Sequence, residues 1–600
     1  MRIDSYALLL QMNLGVLPFQ YLAAPDGERA GSLFFNAQQI LAQYQVQMEQ
    51  KKSTTLAFAF RPFKELSPTM QADFMRQTRR LISAGKNPEA ITNSQNMIRL
   101  ALKGLRYYQT YDRFYLGVSI VFGYLGWMAY ILGLVLKETN LIKPSIKLDL
   151  VHQPFWKSKK AIKGFFSVFS FFVITLLAVQ SLPWSNYLYC LVPVLLWMSI
   201  LLNVDVFIEA ARHVYEMPGA WRGLVVIVVC MLGLELLVWG FFNRQLLSIG
   251  LICISLWGPF NWSNVSKTLA GWCIFSMLLS YFPSLPVVGR ETNYNLVFIA
   301  GVIAFICGLF SKIRSEASAK GKYSHIINLQ LVLVLVATVI VRHTSYSIGA
   351  KLGLPVVNQL ISWAILVTSF SLPVLCSTAV NERMLSIGLA VIPPYILLST
   401  TYEALFVVVL CGLLFFWHQM ELEVSIDLTD GAGVLDFVNN SLSTVEEERN
   451  IRITDIRRAL FFIFFILTAF FGTGNIASIN SFEPASVYCF LTVFNPFVMG
   501  SLMMVKNFIP FILVACVFRA IHITCRIPER AVFLIALLMS DFMALHFFFL
   551  VQDYGSWLEI GTSISHYVIV MCMVIFLKLL FGLSYVLTTF TVFNSKLHAL

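Results

Sequence analysis

From Phe114 to the C-terminus, long apolar runs alternate with short polar breaks. FYLGVSIVFGYLGWMAYILGLVL (114–136) opens the series, and runs such as KGFFSVFSFFVITLLAVQSL, RGLVVIVVCMLGLELLVWGFF and HIINLQLVLVLVATVIV continue it. Most approach the roughly 20 residues that an α-helix needs to cross the hydrocarbon of a bilayer. Near the C-terminus, VYCFLTVFNPFVMGSLMM and NFIPFILVACVF read as two spans parted at Val505-Lys506, followed by RAVFLIALLMSDFMALHFFFLV and a run from about Gly561 to Val592. The total is roughly 15 spans. A polar, acidic connection runs from about Gln419 to Asp455.

Residues 1–113 follow a different pattern, polar and helical. Phe34, Ile40, Leu41, Tyr44 and Met48 recur on one face at helical spacing. Ser67-Pro68 opens a second helix that ends near Gly85, and Asn87 with Pro88 reads as the N-cap and first position of a third. The expected fold is therefore all-α: a polytopic transmembrane helical bundle over 114–600, preceded by a short helical segment over 1–113.

Composition agrees with that pattern. The chain of 600 residues is 58% hydrophobic and 12% charged, about half the charge of a soluble domain. Its mean hydropathy is +0.74. A net charge of +11 is spread over connections and forms no basic face on a soluble domain, which excludes nucleic acid as a partner. The 11 cysteines stand singly, with no CxxC and no zinc spacing.

Charge also orients the chain. Lys137, Lys143, Lys147, Lys157, Lys159, Lys160 and Lys163 follow the first span and belong on the cytosolic side. Alternate counting places the connection with Lys312, Arg314, Lys320 and Lys322, and that from Gln419 to Asp455, on the same side. Residues 1–113 and FFGTGNIASINSFEPAS then face the lumen. The sequons at Asn261, Asn264 and Asn439 fall on the cytosolic side and should carry no glycan.

Candidate chemistry is sparse. There is no P-loop, GxSxG or HExxH, and residues 1–113 contain no histidine. No metal or other cofactor is read in this chain. Glu235, Asp541, His546, His566 and Lys578 lie inside apolar runs, where each costs several kcal/mol unless paired or hydrated. They line a polar path for a lipid head group or a proton, or they are hydrogen-bonding glue between helices; both readings stand. Proline breaks at Pro283, Pro286, Pro393-Pro394, Pro496 and Pro510 mark kinks or span ends. The polar stretch after Phe471 contains Asn475, Ser478, Asn480 and Glu483, which offer hydrogen bonds to sugar hydroxyls or a phosphate head group, or serve a turn that only packs the bundle. Gly472 and Gly474 permit a tight turn there, and Glu483-Pro484 opens the next helix.

DIRRALFFIFFILTAFFGTGNIASINSFEPASVYCFLTVFNPFVMGSLMM, SDFMALHFFFLVQDYGSWLEIGTSISHYVIVM and ALKGLRYYQTYDRFYLGVSIVFGYLGW resemble the membrane domain of the GPI ethanolamine phosphate transferase 1 family. The likeness extends over nearly the whole chain from about residue 14. It implies a multi-pass protein of the endoplasmic reticulum that transfers phosphoethanolamine from phosphatidylethanolamine to the first mannose of the GPI-anchor precursor. It also implies a luminal catalytic domain of alkaline-phosphatase type with divalent metal, zinc by that resemblance, and a threonine nucleophile. No residue here matches that nucleophile or those ligands, so the expectation is a chain without its catalytic domain, with 1–113 as a luminal linker at that domain's tail. The alternatives are a lipid transporter or scramblase and a non-catalytic assembly subunit.

Overall fold

The computed structural model describes residues 15–55, 60–138, 159–180, 182–216, 220–261, 267–288, 291–316, 324–426, 436–438, 451–474, 484–493, 495–553 and 555–591. Among these residues the chain is helical, with one isolated antiparallel bridge between Ala379 and Asp436 and no strand. It forms two compact units, one of Met1–Tyr130 with Lys147–Val204 and one of Ile131–Ile146 with Asp205–Leu600.

The first unit begins with three helices, α1 (Asp26–Thr54), α2 (Pro68–Ser83) and α3 (Asn87–Gln109). The periodic face of α1 is buried as its spacing predicts: Phe34, Ile40, Leu41 and Tyr44 pack with Met97, Ile98, Ala101 and Tyr108, and Met48 lies against them. Each such fully buried side chain contributes about 1.5–3 kcal/mol. α1 and α3 approach closely because Gly104 has no side chain; a Cβ there would stand 2.4 Å from the Tyr44 ring. Ser67 caps α2 by accepting from the Met70 amide at 3.4 Å. α3 starts one residue earlier than its sequence signal, with Lys86 at the N-cap and Asn87 inside the helix. The unit continues into the first part of α4 (Arg113–Glu138), then α5 (Lys159–Val179) and α6 (Trp184–Leu202). Gly126 packs against Leu196 and Trp197, and Trp197 Nε1 donates to the Phe122 carbonyl at 3.2 Å. Phe165, Val168, Phe171 and Val179 are exposed, as suits helices solvated by acyl chains.

The second unit holds α7 (Val204–Glu216), α8 (Ala220–Gly240), α9 (Gln245–Asn261), α10 (Lys267–Tyr281), α11 (Tyr294–Glu316), α12 (Ser324–Gly349) and α13 (Val356–Leu375). They are followed by α14 (Val380–Leu397), α15 (Glu403–Ile426), α16 (Ile453–Phe471), α17 (Pro496–Thr524), α18 (Glu529–Leu550) and α19 (Trp557–Thr589). α17 is the central helix, packed on α14, α15, α16 and α19. Among the described residues, ten helices are long and apolar enough to cross a membrane, and the shorter apolar segments Val225–Gly240 and Gln245–Pro259 lie in α8 and α9. The protein is a polytopic helical membrane protein.

Three boundaries differ from those read in the sequence. The two spans expected on either side of Val505-Lys506 are replaced by one helix, α17, which runs through Lys506 and Pro510. The lysine does not end the helix because its Nζ pairs with Glu403 Oε1 at 2.6 Å, both side chains being buried. The preceding VYCF forms no span: Pro484 opens only a short 3-10 helix, Pro484–Val487, and Glu483 lies outside the described residues. The connection expected from Gln419 is helical as far as Ile426, because Glu421 is buried among arginines instead of facing water.

Candidate functional site

One end of the second unit is tied together by its connections. The Val288 amide donates to the Thr473 carbonyl at 3.4 Å, and the Asn293 amide to the Thr400 carbonyl at 2.9 Å. The Tyr402 hydroxyl donates to the Pro286 carbonyl at 2.7 Å. α16 terminates here. Gly472 packs against Phe406, where a Cβ would stand 2.5 Å from the ring, and Gly474 turns the chain at φ +68°. That left-handed turn is open to glycine at little cost, and a Cβ would also meet Val287 at 2.8 Å and Arg244 Nη1 at 3.0 Å.

Arg244 lies in the turn between α8 and α9. Its Nη2 donates to the Leu285 carbonyl. Burial raises the pKa of the Tyr402 phenol, and the neighbouring Arg244 cation opposes that rise. Glu403, at the start of α15, accepts from the Thr400 amide at 3.1 Å through Oε2 and holds Lys506 through Oε1. Neutralising charge at close range is what makes a fully desolvated lysine tolerable.

Two of the charged residues singled out in apolar runs meet near this end. His546 Nδ1 lies 2.9 Å from Glu235 Oε1, and the carboxylate and imidazole side chains are 39% and 25% exposed. Asp541 does not share that exposure; it is buried on the same helix about a turn and a half away. His566 sits among the rings of Phe241, Phe242 and Phe547, and Lys578 Nζ lies 5.4 Å from the centre of the Phe533 ring. Asn475, Ser478, Asn480 and Glu483 lie outside the described residues.

The opposite end carries a stronger charge network. Glu421 accepts from Arg457 at 2.6 Å and from Arg458 at 2.6 and 2.8 Å, and Arg458 reaches Asp455 at 2.5 Å. The Arg457 guanidinium also covers the Trp257 ring at 4.9 Å. Arg383 is fully buried among carbonyls, donating to Leu587 at 2.9 Å, Phe590 at 2.6 Å and Cys376 at 3.3 Å, and so ties α14 to the C-terminal ends of α13 and α19. These arginines, with Glu403, Glu421 and Lys506, were missed as intramembrane charges because each lies where polar residues close by in the sequence read as a break. Their signal is an isolated charge flanked by apolar residues at helical spacing, as in MMVKNFIPF.

A groove of about 370 Å³ lies along α12 and α13, walled by Leu335, Val339 and Ile361, with His343 and Asn358 also lining it. The described residues contain no group of three or more His, Cys, Asp or Glu placed to hold a metal ion. The arrangement supplies cations, hydroxyls and carbonyls at a membrane boundary, which suits recognition of a polar head group.

A family model described as phosphatidylinositolglycan class N (PIG-N) matches residues 103–556. The chain is 43% identical over 589 residues to a Mus musculus protein named GPI ethanolamine phosphate transferase 1, covering 96% of this chain and 62% of that protein. A Homo sapiens protein of the same name is 43% identical over 590 residues, with the same shares covered. One from Neurospora crassa is 32% identical over 604 residues, covering 95% of this chain and 59% of that protein. The chain thus spans about three fifths of the length of the curated relatives it matches. No solved structure matches it.

Proposed function

Because the chain belongs to the phosphatidylinositolglycan class N family, we propose that it is the membrane domain of a transferase that places phosphoethanolamine on the first mannose of the GPI-anchor precursor. The observation that carries this reading is the 43% identity, maintained over 96% of the chain, to a protein named GPI ethanolamine phosphate transferase 1. In this reading the protein resides in the endoplasmic reticulum membrane, with the Arg244, Tyr402 and Thr473 end of the bundle toward the lumen. Phosphatidylethanolamine is the donor and the GPI precursor the acceptor. Asn475, Ser478, Asn480 and Glu483, which follow Gly474 in the sequence and lie outside the described residues, would offer hydrogen bonds to head group or glycan.

The chemistry belongs to an alkaline-phosphatase-type domain with divalent metal. The described residues of this chain do not supply the clustered Asp and His donors that such a site needs. Holding both lipids at one membrane boundary contributes by proximity, which is worth several kcal/mol without a catalytic side chain.

Expression in cells lacking the transferase tests this. The chain together with an alkaline-phosphatase-type domain should restore phosphoethanolamine on the first mannose, and the chain alone should not. Restoration by the chain alone would move the chemistry into it; failure of both, with both proteins present, would end the membrane-domain reading. The half-exposed Glu235–His546 pair favours a second reading, passage of a lipid head group along the bundle. Head-group flip in liposomes that Glu235→Gln abolishes would support it.

A further inference from the structure

Among the described residues at the Gly474 end, the acid and the arginine do not pair. Glu403 is occupied by Lys506 at 2.6 Å and by the Thr400 amide. Among the described residues, Arg244 meets two neutral groups, the Leu285 carbonyl and the Tyr402 phenol. Its Nη1 is buried against Gly474 and has no hydrogen-bond partner among the described residues. Arg244 as a whole is half-buried, but a guanidinium nitrogen withdrawn from water without a hydrogen-bond acceptor is costly.

A second observation is independent of the arginine. Thr473 is 1% exposed, and its Oγ1 also lacks a hydrogen-bond partner among the described residues. Thr401 Oγ1, next to Tyr402 in the facing connection, is buried without one as well. Three unsatisfied polar atoms therefore occur in one set of hydrogen-bonded connections. A guanidinium fork and hydroxyl donors are the chemistry of oxyanion recognition.

We propose that Arg244, with Thr473 and Thr401, binds a phosphate oxyanion at this end of the bundle. Nη1 donates one charge-assisted hydrogen bond and the threonine hydroxyls donate neutral ones. Gly474 is the residue that leaves room for Nη1. A free phosphate and the phosphodiester of a phospholipid offer the same oxygens. Choosing the lipid phosphodiester as the physiological ligand rests on the transferase reading above; the oxyanion site does not.

The test is ligand-dependent thermal unfolding of the purified full chain. One arm titrates inorganic phosphate in dodecyl maltoside. The other compares micelles doped with phosphatidylethanolamine against micelles doped with a galactolipid that has no phosphate. Wild type should be stabilised by phosphate or by the phospholipid and not by the galactolipid, and the responding arm identifies the source. Arg244→Gln should weaken binding by about tenfold or more, the usual scale for losing a charge-assisted bond. Lys351→Gln, which removes an exposed lysine from another connection, should leave binding unchanged. No stabilisation in either arm, or equal stabilisation of wild type and Arg244→Gln, overturns the site. Should Arg244→Gln not fold, Arg244→Lys and Thr473→Val decide the question: each should weaken binding several-fold, and unchanged affinity in both overturns the proposal. Binding that depends on Arg244 stands even if the chain takes no part in GPI-precursor modification. Modification without binding removes the site and leaves the function.

Discussion

Lys506 and Glu403 show how a single residue changes the reading of a helix. A lysine in the middle of an apolar run looks like the end of a span. Buried against a carboxylate at 2.6 Å, it sits inside a helix of 29 residues. Truncating one partner strands the other charge. Lys506→Met or Glu403→Gln should each destabilise the purified protein by about 3–5 kcal/mol. The double variant should lose at least about 1 kcal/mol less than the sum of the singles, because each side chain matters chiefly through the other. Thermal or denaturant unfolding in detergent checks this, and additive losses would mean the pair is not coupled. Of the charged residues picked from the sequence, Glu235 and His546 do meet. Nothing local announced it, since each faces a partner 311 positions away.

At the scale of elements, α10 and α15 are matched by reciprocal exchange of small and large residues. A Cβ on Gly271 would stand 2.2 Å from the Phe416 ring, and one on Gly412 would stand 2.1 Å from the Phe275 ring. Each helix thus offers a glycine to receive the other's phenylalanine, which brings the backbones together in a bilayer where packing, rather than the hydrophobic effect, drives association. Gly271→Ala should destabilise the bundle by about 1–3 kcal/mol through overpacking. Gly561→Ala, with no atom within 4 Å of the added methyl, should not. Equal melting temperatures for the two variants would show that the close approach of α10 and α15 is dispensable. Helix boundaries were legible where a cap or proline marks them, as at Ser67-Pro68, and were misplaced where a buried charge imitated a break, as at Lys506 and Glu421.

At the scale of the whole molecule, charge and connectivity together predict the membrane orientation. α9 begins beside Arg244 and ends at Asn261, at the opposite end of the second unit. That end also carries Arg457, Arg458 and Arg383 and the bridge from Ala379 to Asp436. No glycan should be present, so endoglycosidase treatment of protein from eukaryotic cells should leave its mobility unchanged; a glycan on Asn264 or Asn439 would invert the orientation. The sequence by itself determined that this is an all-α, multi-pass protein with a helical segment before the first span. Hydropathy and helical period are local properties, and a bilayer leaves a backbone little choice but to satisfy its own hydrogen bonds. Only the tertiary structure decided which charges meet, that one helix replaces two around Lys506, and that, among the described residues, Arg244 Nη1 and Thr473 Oγ1 are left without hydrogen-bond partners. Each residue turns about 100° around its helix axis, and which neighbour it then faces depends on packing that a one-dimensional pattern does not contain.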